Sequence, residues 1–166
     1  KKLLADTLTP VSAYLRLRDR FPNSLLLESS DYHANDNSFS YVCCNPIASI
    51  KIASEVITIQ YPDGTQTIQT ITDSSQVPEA LGAFRNSFSV SEDASLKFIH
   101  NGIFGYMAYD TVRYFESIPV QKKPQSLAIP DVYYAVYQNI IAINHFNNEA
   151  YLFSHCYDTE NNLHEI

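Results

Sequence analysis

Glu28 and Ser29 close the apolar run Leu25-Leu26-Leu27, so a carboxylate and a hydroxyl stand where a short strand meets a polar loop. That pairing suits an amino-acid ligand. The carboxylate can hold an ammonium group, the hydroxyl can hydrogen-bond the ligand's polar end, and the leucines can enclose its side chain. Read from residue types alone, the same residues also describe a strand that simply ends at a polar loop, as most strands do.

The other reactive side chains make weaker patterns. The five histidines, His33, His100, His145, His155 and His164, show no metal-ligand spacing, and Asp31-x-His33 is the nearest approach to one. His155 and Cys156 are neighbours in a strand-like segment, so their side chains point to opposite faces and cannot form a thiolate pair by themselves; the same alternation separates Cys43 from Cys44. Four glycines are too few and too scattered for a phosphate-cradling loop, and Gly102-Ile103-Phe104-Gly105 reads as close backbone packing in a buried strand. Asp110, Arg113 and Glu116 carry opposite charges at helical spacing and read as a structural anchor for that strand. No nucleophile elbow, triad order or catalytic carboxylate pair is present, so no catalytic residue is assigned.

The elements that must position these groups follow from periodicity and punctuation. Thr9-Pro10 is a helix entry, Val11, Tyr14 and Leu15 share a face, and Pro22 marks the end of that helix. Leu25–Leu27 is a strand, Ser30–Asn37 a loop, and Phe39–Cys44 and Ser49–Ile52 are two further strands. Val56–Ile71 is a hairpin about Pro62-Asp63-Gly64, the order of a type I turn with a glycine bulge. Val77, Leu81, Phe84 and Phe88 recur at helical spacing. Ile103–Tyr109 is a buried strand followed by a helical turn over Asp110–Glu116, Lys122-Lys123-Pro124 opens a linker, and Val132–Ile143 pairs with Ala150–Tyr157 in a last hairpin. The expected fold is α+β: a mostly antiparallel, sheet-rich sandwich with two or three helices packed on it.

Composition bounds the function. With 166 residues, 45% of them hydrophobic and 17% charged, the chain holds one core and is no disordered tail. It has no tryptophan but 12 tyrosines and 9 phenylalanines, so aromatic rings must line the core or an interface. A net charge of −7 without Lys or Arg clusters argues against nucleic-acid binding. No apolar run approaches the roughly 20 residues of a membrane span, and three cysteines without framework spacing read as reduced thiols in a cytoplasmic protein. The chain opens on Lys1 and closes on the polar Asn161–Ile166, which suggests a piece of a longer polypeptide.

Four blocks, in order, resemble the N-terminal region of anthranilate synthase component I: Thr9-Pro10-Val11-Ser12-Ala13-Tyr14, Leu26-Leu27-Glu28-Ser29, Ser40-Tyr41-Val42-Cys43-Cys44-Asn45-Pro46, and Gly102 through Glu116. The last is the most specific, because Gly105-Tyr106, Tyr109-Asp110, Val112-Arg113 and Phe115-Glu116 match that family's Gly-Tyr-x-x-Tyr-Asp-x-Val-Arg-x-Phe-Glu pattern. Ser38 and Phe39 stand where many members carry Arg or Lys, and Cys43 stands where glycine is common.

The resemblance implies an enzyme that converts chorismate to anthranilate and pyruvate in tryptophan biosynthesis. Such an enzyme uses ammonia released from glutamine by a partner amidotransferase subunit, component II, and requires Mg²⁺. It further implies that residues 1–166 form a single N-terminal regulatory domain, inactive alone, with the chorismate and metal residues in a C-terminal catalytic domain beyond them. L-tryptophan would bind here as feedback inhibitor. Leu27, Glu28 and Ser29 match that site, with Ser38, Phe39 and Ser40 as possible additional contacts. Two other readings remain at this stage: the equivalent region of aminodeoxychorismate synthase component I in folate synthesis, and a non-enzymatic amino-acid-binding module.

Overall fold

The computed structural model describes residues 1–28, 38–90, 96–118 and 129–157. Its strands and helices, in chain order, are β1 (Lys2–Leu4), α1 (Pro10–Leu17), β2 (Leu25–Leu27), β3 (Phe39–Ala53), β4 (Val56–Gln60), β5 (Gln66–Thr70), α2 (Gln76–Asn86), β6 (Ile103–Met107), a 3-10 helix (Tyr109–Tyr114), β7 (Val132–Asn144) and β8 (Glu149–Ser154). Among the described residues the fold is therefore mostly antiparallel sheet with three helical segments. The chain divides into two compact units, one of Lys1–Pro46, Ala94–Asn101 and Tyr137–Ile166, the other of Ile47–Asp93 and Gly102–Val136, and the long strands β3 and β7 run through both.

In the first unit β2 lies antiparallel on the N-terminal part of β3, with Leu25 opposite Cys43 and Leu27 opposite Tyr41. β7 and β8 form the last hairpin, Ile140 opposite Phe153 and Ala142 opposite Tyr151, and β1 adds to β8. Helix α1 starts as its residues dictate: Thr9 caps it, its Oγ1 accepting from the Ser12 amide at 3.1 Å while Ser12 Oγ accepts from the Thr9 amide at 3.2 Å. It ends at Leu17, well before Pro22, and the Arg20 and Phe21 amides close a turn on the Leu17 carbonyl. Ala5, Ile143 and Ala150, with Leu8 and Ile141 against them, make one small core. β1, which the sequence did not announce, is a three-residue exposed edge strand held by Lys2–Glu149 at 2.6 Å.

In the second unit the C-terminal part of β3 pairs with β4, β4 with β5, and β6 with the N-terminal part of β7. The expected turn at Pro62-Asp63-Gly64 is present: the Gly64 amide donates to the Tyr61 carbonyl and Gly64 takes φ 82°, open to glycine at no steric cost. Val77 and Phe84 of α2 are fully buried and Phe88 meets Phe84 edge-on, as their spacing predicts. Ile50, Ile52, Ile57 and Val132 are likewise buried.

Two expectations change. Phe39–Cys44 and Ser49–Ile52 are one strand of 15 residues, because Asn45 absorbs the irregularity at φ 59° and its side-chain amide donates to Gln138 Oε1 at 2.5 Å. The strand begun at Ile103 ends at Met107, and Tyr109, 88% exposed, already belongs to the 3-10 helix. The loop expected over Ser30–Asn37 and the linker at Lys122–Pro124 lie outside the described residues. Among the described residues no helix is long and apolar enough to cross a membrane.

Candidate functional site

The Leu25–Leu27 strand is short, half-buried and polar at its end. It is placed from both sides of the chain. Upstream, the Tyr137 hydroxyl donates to the Asn23 carbonyl at 2.8 Å and fixes the approach to β2. Downstream, Glu28 leaves the strand into solvent, while Ser29 lies outside the described residues. Directly opposed residues of an antiparallel pair share a face, so Leu27 and Tyr41 stand on the same side, and alternation adds Leu25, Phe39 and Cys43 to it.

That face is aromatic. Phe39 stacks on Phe98 with ring centroids 4.7 Å apart and lies 6.2 Å from Tyr41; Phe98 in turn meets Tyr151 at 4.8 Å and Phe153 at 6.0 Å. The segment bearing Phe98 is tied down on this face. His155 Nε2–H donates to the His100 carbonyl at 2.9 Å, and the Ile99 backbone bonds the Tyr41 phenol. Burial raises the Tyr41 pKa and lowers that of His155, so both are neutral at pH 7.

The opposite face of β3 is closed. Ser40 is fully buried and shares a 2.7 Å hydrogen bond with His145 Nε2, while Ser38 is buried and its carbonyl accepts from the His145 amide. The chain thus brings Leu27 and Phe39 together and turns Ser40 away from them. The rings of Tyr41, Phe98, Tyr151 and Phe153 were not singled out by sequence reasoning. The signal was there, in the every-second-residue aromatics of Phe39-x-Tyr41 and Tyr151-x-Phe153-x-His155-x-Tyr157. Cys43 and Cys44 are both buried without a disulfide, and burial pushes the Cys43 thiol up to about 12, which leaves it un-ionised and inert at neutral pH.

The Gly102–Glu116 block, in the second unit, is a locked corner. A side chain at Gly105 would collide with the Tyr133 carbonyl oxygen and lie 2.7 Å from the Tyr134 Cα, so only glycine fits beside β7. Arg113 pairs with Asp131 at 2.7 Å, donates to the Asp110 carbonyl at 2.8 Å and to the Tyr114 hydroxyl at 2.9 Å, and lies over the Tyr114 ring. Its ionic partner is thus Asp131, 18 residues on, rather than the Asp110 or Glu116 carboxylate suggested by helical spacing. Thr111 Oγ1 and the Ala108 amide both donate to the Asp131 carbonyl. A shallow cleft of about 340 Å³ beside Arg113 is lined also by Glu55, Thr72, Asp73, Ser74 and Tyr114.

No group of three His, Cys, Asp or Glu side chains among the described residues converges to hold a metal ion, and Asp31 and His33 lie outside those residues. The donor set among the described residues does not fit Mg²⁺.

The family model described as chorismate binding enzyme matches residues 23–166. The chain belongs to the chorismate-binding enzyme family. Among relatives of this family member, anthranilate synthase component 1 of Thermus thermophilus is 30% identical over 152 residues, covering 92% of this chain and 30% of the relative. The protein of the same name from Lactococcus lactis is 29% identical, covering 87% of this chain and 29% of the relative. The crystal structure of anthranilate synthase component I from Streptococcus pneumoniae superposes with a TM-score of 0.51 at 22% identity, covering 98% of this chain and 33% of that one, and establishes the likeness of fold. This chorismate-binding family chain therefore spans about a third of the length of the relatives it matches.

Proposed function

We propose that residues 1–166 are the single N-terminal, L-tryptophan-sensing regulatory domain of an anthranilate synthase component I, a lyase acting in the cytoplasm. The observation that carries this reading is the ordering at β2: Leu27 joins an aromatic face while Glu28, the next residue, is exposed at its rim. An amino acid with an aromatic side chain needs both, a carboxylate for its ammonium group and an apolar, ring-lined wall for its side chain. Ser29 follows at once and supplies a hydroxyl to the same polar end. The names of the relatives support the anthranilate synthase assignment over aminodeoxychorismate synthase or a free-standing amino-acid-binding module.

In this reading the longer enzyme makes anthranilate and pyruvate from chorismate, with ammonia from a glutamine amidotransferase subunit, and its Mg²⁺ is held by the C-terminal catalytic domain. In the same reading the whole fold is the sheet-rich sandwich expected from the sequence. Tryptophan inhibits by preferring one arrangement of the regulatory and catalytic regions, which requires only differential affinity for that arrangement.

The test is inhibition of the full-length enzyme by L-tryptophan. Ser29→Ala removes a hydrogen bond worth roughly 1 kcal/mol and is expected to raise the inhibitory concentration about fivefold, while Glu28→Gln, which removes the charge facing the ammonium, raises it further. Inhibition unchanged in both variants contradicts the proposal.

A further inference from the structure

The aromatic face of the first unit has a feature that packing does not account for. Phe39, Tyr41, Phe98, Tyr151 and Phe153 contact one another in sequence, yet each remains partly open to solvent, whereas Val42 and Ala150, which alternate with Tyr41 and Tyr151 onto the other side of their strands, are fully buried. A cluster serving only as core would be buried like its neighbours. These rings instead form a half-open wall on the face that carries Leu27, and Glu28, the next residue, is exposed.

Resting on the tryptophan-site reading above, we infer that Tyr41 and Phe98 read the aromatic ring of the ligand. Tyr41 provides the floor, since it shares its face with Leu27, and Phe98 provides the side wall, braced against Phe39 and Tyr151. The segment 96–101 is then part of the site, held across it by the Ile99 contact to the Tyr41 phenol and by the His155–His100 hydrogen bond. Selection among amino acids follows. A planar ring gains face and edge contacts here that an aliphatic side chain of equal size does not.

The experiment uses the full-length enzyme and L-tryptophan as probe. Inhibition is measured for wild type, Phe98→Leu, Phe98→Tyr and Ser29→Ala. The expected result is that Phe98→Leu weakens inhibition about fivefold, the factor for an aromatic pair worth about 1 kcal/mol, and that Phe98→Tyr, which keeps the ring, restores most of it. Weakening by Ser29→Ala with no change in Phe98→Leu overturns the inference and leaves the tryptophan site standing. No change in either overturns both. Should Phe98→Leu fail to fold, the wild-type enzyme still decides: L-phenylalanine is expected to compete with tryptophan more strongly than 3-cyclohexyl-L-alanine, and equal competition overturns the inference.

Discussion

The strand Leu25–Leu27 and the corner Gly102–Glu116 are the two stretches where sequence and family resemblance concentrate, and they are built on opposite principles. The corner, in the second unit, is closed around its polar groups: Arg113, Asp131 and Thr111 satisfy one another, and Gly105 leaves no room beside β7. The strand, in the first unit, is three residues long, half-buried, and followed by an exposed carboxylate. A long, specific motif here holds the scaffold in place, while under the proposed function a short and commonplace one presents groups to a ligand. On that proposal the strength of a motif does not locate the ligand site.

This contrast can be broken from either side. The largest effect is expected at Gly105→Ala, where a methyl group meets backbone that cannot yield; destabilisation of about 3 kcal/mol or more, typical of severe overpacking, is predicted from chemical denaturation. Arg113→Ala comes next. It leaves Asp131 in a site where only 10% of its side chain is exposed, at a predicted cost of about 3 kcal/mol, and Arg113→Lys restores little because one ammonium cannot reach three acceptors. A wild-type-like melting temperature in Arg113→Ala would refute the anchor reading.

Smaller effects are expected in the first unit. Burial lowers the His155 pKa below its ordinary 6.5, so the unfolded chain binds a proton that the folded chain resists. Stability is then full above pH 6.5 and declines as the pH falls below it, and His155→Phe, which stays apolar, flattens that part of the profile in a denaturation series across mildly acidic pH. The smallest perturbation is chemical labelling of the native protein. Cys156 is exposed and reacts with a thiol reagent, whereas Cys43 and Cys44 remain protected until unfolding.

Much of this arrangement was legible in the residues. Helical spacing fixed Val77 and Phe84 as the buried side of α2, and Pro62-Asp63-Gly64 dictated its own turn. The anchoring role of Arg113 was readable, but its partner was not, because Asp131 comes from a later part of the chain that only tertiary structure brings near. Asn45 at positive φ hid the continuity of β3, since a local irregularity in sequence looks like a strand end. The proposed site could be named from sequence as Glu28 and its leucines. Its aromatic face could not, because Phe39, Phe98 and Tyr151 are distant in sequence and meet only through strand pairing and the tied segment 96–101.

The most direct test of the tryptophan site is a calorimetric titration of the full-length protein with L-tryptophan, comparing wild type with Glu28→Gln. Saturable binding at one site per chain is expected, at least tenfold weaker in the variant because a charge-assisted bond of about 1.5 kcal/mol or more is lost. Equal affinity in the two proteins, or no binding to wild type, would contradict the proposed site.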